Sequence, residues 1–128
     1  MNKLIIDAAK DKIFLMIINN GINYSITHEN SKINYEKLSI LINNFLNKKK
    51  LDLDKVSQIY VNRGPGSFAG IRNSLSVVKA FHLTHEIDYY CFSFEDFSEK
   101  NEVKYENIPK LCDKLKVEKN LINPIYLS

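Results

Sequence analysis

Several things are scarce in this 128-residue chain, and each scarcity excludes something. No apolar run approaches the about 18 residues that a membrane-spanning helix needs. The start, Met1 to Asp7, carries only Leu4-Ile5-Ile6 before an acidic residue, so a secretory signal is not expected. Cysteine occurs twice, at Cys91 and Cys112, without metal-ligand spacing. Two isolated thiols suit reduced, buried residues, and the expectation is a cytoplasmic chain with no membrane association. Arginine is rarer than the net charge of +3 suggests: of 18 basic residues only Arg63 and Arg72 are Arg. The Lys/Asn/Ile bias looks like that of an AT-rich genome rather than a nucleic-acid footprint. The densest basic run, Lys48-Lys49-Lys50, falls at the end of a predicted helix, where cations favour the dipole. With 45% hydrophobic residues the chain is long enough for one core and too short for two ordinary domains.

Glycine is the most informative scarcity. Of four glycines, three fall in Arg63-Gly64-Pro65-Gly66-Ser67-Phe68-Ala69-Gly70-Ile71-Arg72, with a proline between two of them. Both arginines flank this stretch. A β-prone run, Gln58 to Val61, precedes it and an amphipathic helical pattern follows, which specifies a rigid strand–loop–helix junction. Free N–H groups at a helix start suit anions, partners or substrates.

Periodicity places the other elements. Lys3–Ile6 and Lys12–Ile18 read as strands, and Asn20-Gly21 turns the chain into a third, Ile22–Thr27. Asn34 is expected to cap a helix from Tyr35 to about Lys49, with Leu38, Leu41, Ile42, Phe45 and Leu46 toward the core and Ile40 near the opposite face. Ser57–Val61 and Tyr89–Phe92 read as strands around a helix over Phe68–His85. On that helix Phe68, Ile71, Leu75, Val77, Val78 and Phe81 cover nearly half the circumference, wider than one sheet face needs. Ser93 with Asp96 opens a short helix, Lys100–Asn107 is polar, and Pro109 begins a helix carrying Leu111, Cys112 and Leu115. No internal repeat or low-complexity segment is present. The order βββαβαβ implies an α/β fold with a mixed five-stranded sheet and flanking helices. Strands one, four and five are parallel, the topology of ribonuclease-H-like and actin-like lobes.

Chemistry is hard to build from these residues. Ser67 is not in a G-x-S-x-G elbow and reads as a helix cap. His82, His85 and Glu86 have a spacing that suits a metal, but His82 projects into the apolar stripe, where a packed histidine is the simpler reading; His28 reads as an exposed loop residue. The glycine loop is neither G-x-x-x-x-G-K-[ST] nor G-x-G-x-x-G. Asp7, ending the first strand, is either a holder of metal or water or a hairpin-turn residue, and Asp11 reads as a turn residue.

Leu4-Ile5-Ile6-Asp7 opening a three-stranded meander, then a helix, then the run from Tyr60 to Arg72, resembles the TsaB (YeaZ) family. That family's loop, G-R-G-P-G-S-F-T-G-[LVI]-R, matches every position from Arg63 to Arg72 except Ala69, and the closing Pro124-Ile125-Tyr126-Leu127 matches its P-x-Y-L. The resemblance implies an actin-like (ASKHA) lobe over residues 1–98. It implies a non-catalytic partner of a TsaD-type catalytic subunit in making threonylcarbamoyladenosine on tRNA, with a TsaE-type ATPase as a further partner. It implies helix contacts with TsaD or with a second copy. Direct contact with tRNA is left open, and no cofactor or metal is implied.

Residues 99–128 are expected to be a short extension replacing the family's second lobe. Asp7-Ala8-Ala9 stands where relatives carry Asp-Thr-Ser, and Arg72-Asn73-Ser74-Leu75-Ser76 where they carry more Gly and Ile. The expected motif site is Asp7, Arg63, Gly64, Pro65, Gly66, Ser67, Phe68, Gly70 and Arg72, a candidate anion contact. The expected partner interface is Ile40, Val77, Phe81 and His82. The competing reading is a small nucleotide- or phosphate-binding enzyme using Asp7 and the Gly64–Gly70 loop; a third is a free-standing homodimer.

Overall fold

A computed structural model describes residues 1–98 and 102–126; part of the polar Lys100–Asn107 stretch and Leu127 of the closing motif lie outside them. Five strands form one mixed sheet in the order β3-β2-β1-β4-β5: β1 Asn2–Asp7, β2 Lys12–Asn19, β3 Ile22–Glu29, β4 Val56–Asn62 and β5 Asp88–Phe92. The first three form an antiparallel meander, and β4 and β5 run parallel to β1, as the element order implied. Asn20 and Gly21, both at positive φ, make the β2–β3 turn, a conformation that Asn and Gly tolerate best.

Helices α1 (Lys32–Glu36), α2 (Leu38–Lys48) and α3 (Phe68–His85) lie on one face, and α4 (Ile108–Leu115) on the other. The single helix expected from Tyr35 is two. Ser31, not Asn34, is the cap: its hydroxyl accepts the Asn34 N–H at 3.1 Å, while the Asn34 amide donates to the Glu29 carbonyl at 2.9 Å. A serine three residues upstream thus satisfies the first-turn donors and starts the helix early. Lys37 then breaks it, and α2 carries the predicted stripe inward, with Leu38, Ile42, Phe45 and Leu46 buried. Lys49 places its ammonium 3.9 Å over the Tyr24 ring, and Lys50 turns the chain at positive φ, so the basic run is a helix end.

Alternation along β1, β2 and β4 divides the apolar side chains into two layers. Leu4, Ile6, Leu15, Ile17, Ile59 and Val61 face the α1–α3 helices, and Ile5, Met16, Tyr60 and Phe92 face α4. Strands buried on both faces explain why β1 and β4 read as continuous apolar runs rather than alternating ones. After α4 the chain returns along the outer edge of β5. Asn120 N–H donates to Tyr89 O at 2.7 Å, Tyr89 N–H donates to the Asn120 side chain at 2.9 Å, and Asn120 Nδ2 donates to Asp88 at 2.9 Å. That edge is covered by the protein's own chain.

Candidate functional site

The glycine loop runs from the end of β4 to the start of α3 and packs between two backbone segments. A Cβ built on Gly66 would fall on the Ala9 carbonyl oxygen, one on Gly70 on that of Ala8, and one on Gly64 on that of Ile125. Gly64 is also at φ +109, where side chains are strained. Two glycines therefore exist because the segment after β1 crosses the loop, and the third because the C-terminal segment does.

Several of the loop's polar groups are engaged inside the chain. Arg63 N–H donates to Phe92 O at 2.7 Å, Gly64 N–H to Asn62 Oδ1 at 2.9 Å, and Ser67 N–H to Ala9 O at 2.8 Å. Ser67 Oγ accepts the Gly70 N–H at 3.1 Å, which makes it the α3 cap, and lies 3.3 Å from Tyr35 Oη. The Arg63 guanidinium pairs with Asp96 at 2.8 Å and donates to Asn123 O at 3.1 Å, while Ile125 N–H closes onto Arg63 O at 2.7 Å. Arg63 is a clamp between loop, β5 and C-terminal segment rather than a free anion contact. Phe68 is exposed with its ring tilted against Tyr126 at 4.7 Å, Arg72 is exposed between two surface grooves, and Pro65 borders a crevice of about 310 Å³ with Lys10, Asn62, Ser93 and Phe94.

Asp7 ends β1, only 1% exposed, and its nearest cation is Lys10, which lines that crevice. Its Oδ1 accepts the Ala9 N–H at 3.1 Å, and its Oδ2 accepts the Tyr105 hydroxyl at 2.6 Å with Lys10 Nζ at 3.9 Å. Both carboxylate oxygens are engaged within the protein. Tyr105 stacks on Phe14 at 4.0 Å and meets Phe94 edge-on, and Lys10 lies over Phe94 at 4.0 Å. Burial first, then the adjacent Asp7 charge, pushes the Tyr105 phenol far above its ordinary value, so it stays a donor. No local pattern marks Tyr105, which lies in a polar stretch without periodicity and 98 residues from its partner. Asp11, expected in a turn, is an exposed bend residue.

Among the described residues no group of His, Cys, Asp and Glu is placed to hold a metal. His82 Nδ1 is 3.0 Å from Ile87 O and its ring meets Tyr89 edge-on, while His85 turns to Thr84. Burial pushes the thiol of Cys91 up to about 11 and that of Cys112 up to about 12, which makes both unreactive at neutral pH.

The four residues expected at a partner interface separate. Ile40 is 55% exposed, Val77 and His82 are half-buried, and Phe81 is only 7% exposed within the helix–sheet core. Phe81 is corrected to a core residue, because α3 turns that part of its wide stripe onto the sheet. Exposed apolar surface sits instead at Ile33, Ile40, Phe68 and Leu83. Leu83 was missed because it lies off the stripe, where a lone leucine gives no periodic signal.

Residues 23–93, more than half of the chain, match the family model described as "TsaD: tRNA N6-adenosine threonylcarbamoyltransferase". No curated protein matches the chain. Among solved structures, YeaZ from Pseudomonas aeruginosa superposes with a TM-score of 0.66 at 19% identity, over 78% of this chain and 50% of that one. A protein described as similar to peptidase YEAZ, also from Pseudomonas aeruginosa, gives 0.66 at 21% identity over 72% and 43%. RuvC from Thermus thermophilus gives 0.51 at 11% identity over 92% and 82%. The chain thus spans half or less of the length of those two YeaZ-type structures. Among the described residues no helix is long and apolar enough to cross a membrane.

Proposed function

The chain belongs to the TsaD (tRNA N6-adenosine threonylcarbamoyltransferase) family and is TsaB/YeaZ-like in fold, and from that premise we propose that it is a non-catalytic partner subunit. It pairs with a TsaD-type catalytic subunit in forming threonylcarbamoyladenosine on tRNA. One observation carries this reading above all: Asp7 and much of the motif loop are engaged within the chain, beside a crevice of about 310 Å³. Tyr105 occupies the Asp7 carboxylate and the loop glycines are pressed against the protein's own backbone, while the helices opposite leave Ile33, Ile40 and Leu83 uncovered. A surface with exposed apolar residues on adjacent helices fits a protein partner better than a small molecule.

On this reading residues 1–98 are the interacting lobe, and residues 99–128 stand in for a second lobe, their described part, 102–126, contributing α4 to the other sheet face. The motif loop, with Gly64, Gly66 and Gly70, acts as the joint that fixes α3 at its angle to the sheet. Ile40 and Leu83 are the proposed contact residues, with Val77 and His82 at the rim. The chain acts in the compartment where tRNA is modified.

Co-expression with a TsaD-type subunit of the same organism tests the proposal. A complex that survives purification at micromolar concentration, and that Ile40→Asp or Leu83→Asp disperses without loss of fold, is the expected result. Absence of any complex would refute it. Adding a TsaE-type ATPase and tRNA to the purified complex then reads whether either joins it.

A further inference from the structure

Lys48 ends α2, Lys49 caps it and Lys50 turns the chain away, and in the sequence this run reads as a helix end alone. In the structure it stands beside a groove of about 450 Å³ between β3 and α2. Ile26 of β3 with Leu41 and Phe45 of α2 gives the groove an apolar floor. His28, Asn44, Asn47 and Lys48 give it a polar rim, and none of its lining residues is acidic. Helical spacing builds the rim: Asn44 lies three residues before Asn47 and four before Lys48, so neighbouring positions on α2 carry both amides and the ammonium.

These groups are not used by the fold. Asn43 donates its amide to Ser39 O at 2.9 Å, whereas the side chains of Asn44, Asn47 and Lys48 make no hydrogen bond or ion pair among the described residues. Tyr24, two residues before Ile26 on the same face of β3, is 42% exposed and has the Lys49 ammonium 3.9 Å over its ring. One cation is thus held beside the groove by a ring face and a second lines its rim. Two amides and an imidazole offer donors and acceptors together, the floor suits a flat ring, and the ammonium groups suit phosphate. An acidic peptide would use the lysines and leave the amides idle. A ring, a hydrogen-bonding edge and a phosphate together are the parts of a nucleotide.

We infer that this groove seats one unstacked base of a single-stranded RNA segment, with the adjoining phosphates on Lys48, Lys49 and Lys50. The base rests on Ile26 and Phe45, and Asn44 and Asn47 meet its hydrogen-bonding edge. The choice of RNA rests on the proposed function, since that complex acts on tRNA. Asn44 is one helical turn beyond Ile40, so the RNA groove adjoins the proposed contact with the TsaD-type subunit.

Three phosphate contacts on a single strand give a dissociation constant of about 1–100 µM at low salt, and a slope of log K against log salt of about −2. Fluorescence anisotropy of a labelled RNA of about 12 unpaired nucleotides, titrated with the whole chain, reads both. Lys48→Glu should weaken binding at least about tenfold, and Asn44→Ala at least about threefold with the salt slope unchanged. Lys114→Glu makes the same charge change on α4, at the opposite sheet face, and should cost less than about threefold. All three positions are exposed, so the fold is kept. Absence of binding at about 100 µM overturns the inference. So does an equal loss from Lys48→Glu and Lys114→Glu, which would assign binding to net charge. Duplex RNA of the same length, held as tightly as the single strand, would show that no base enters the groove and overturns it too. Complex formation with a TsaD-type subunit is read without RNA through Ile40→Asp, so either proposal can fail while the other stands.

Discussion

The two sides of this sheet differ in how their polar and apolar groups are satisfied. On the β5 side, loop, single-turn helix and C-terminal segment are knitted together: Arg63 joins Asp96 and Asn123, Asn120 closes the edge, and three glycines lie against carbonyl oxygens. On the β3 and helix side, Ile22, Tyr24, Ile33, Ile40 and Leu83 are left to solvent. The first side is tied together within the monomer, although Phe68 and Tyr126 on it stay exposed. The second carries exposed apolar surface, which is where partner contact is proposed. The motif most conspicuous in the sequence therefore belongs to the knitted side, and the proposed partner contacts lie elsewhere.

Breaking the closed side should cost most. Gly66→Val or Phe81→Asp is expected to destabilise the monomer by about 4 kcal/mol or more, the first by driving a side chain into the Ala9 carbonyl, the second by burying an unpaired charge. Urea denaturation would show it, and a variant of either that kept wild-type stability would mean the contact yields. The next largest effect is alkaline. Cys91 and Cys112 titrate higher when folded than unfolded, so their contribution is present below about pH 8.5 and lost as pH rises toward 11–12. A progressive loss of stability over that window is expected in reductant, and Cys112→Ala should flatten the slope of Tm against pH.

Tyr105→Phe tests the plug on Asp7. It keeps the stacking on Phe14 but strips one carboxylate oxygen of its donor, and about 1–3 kcal/mol is the expected cost. Equal stability of the two proteins would show that Lys10 or water replaces the hydroxyl. The open side should give the smallest effect on folding: Ile40→Asp is expected within about 0.5 kcal/mol of wild type, yet it should lose the TsaD-type partner. If that variant instead unfolds, the contrast between the two sides fails at that residue.

Much of the architecture was legible before any coordinates. The apolar runs of β1 and β4, the Asn20-Gly21 turn and the bounds of α3 follow from local pattern, because each element's neighbours in sequence determine its backbone. The helix start at Ser31 was less legible, because serine and asparagine three residues apart both suit a cap and only the hydrogen bond decides. Phe81 and Ile40 show the same limit for sites: a helical wheel ranks apolar faces but does not say which part of a wide one the sheet will cover.

By itself, then, the sequence determined the order and type of the elements and the place where the chain must be rigid, since glycine, proline and periodicity act over a few residues. Tertiary structure alone decided why the loop needs its glycines, that Asp7 is taken by a tyrosine 98 residues away, and which edge of the sheet stays open. Those depend on segments remote in the chain meeting in space, and no local pattern records such a meeting.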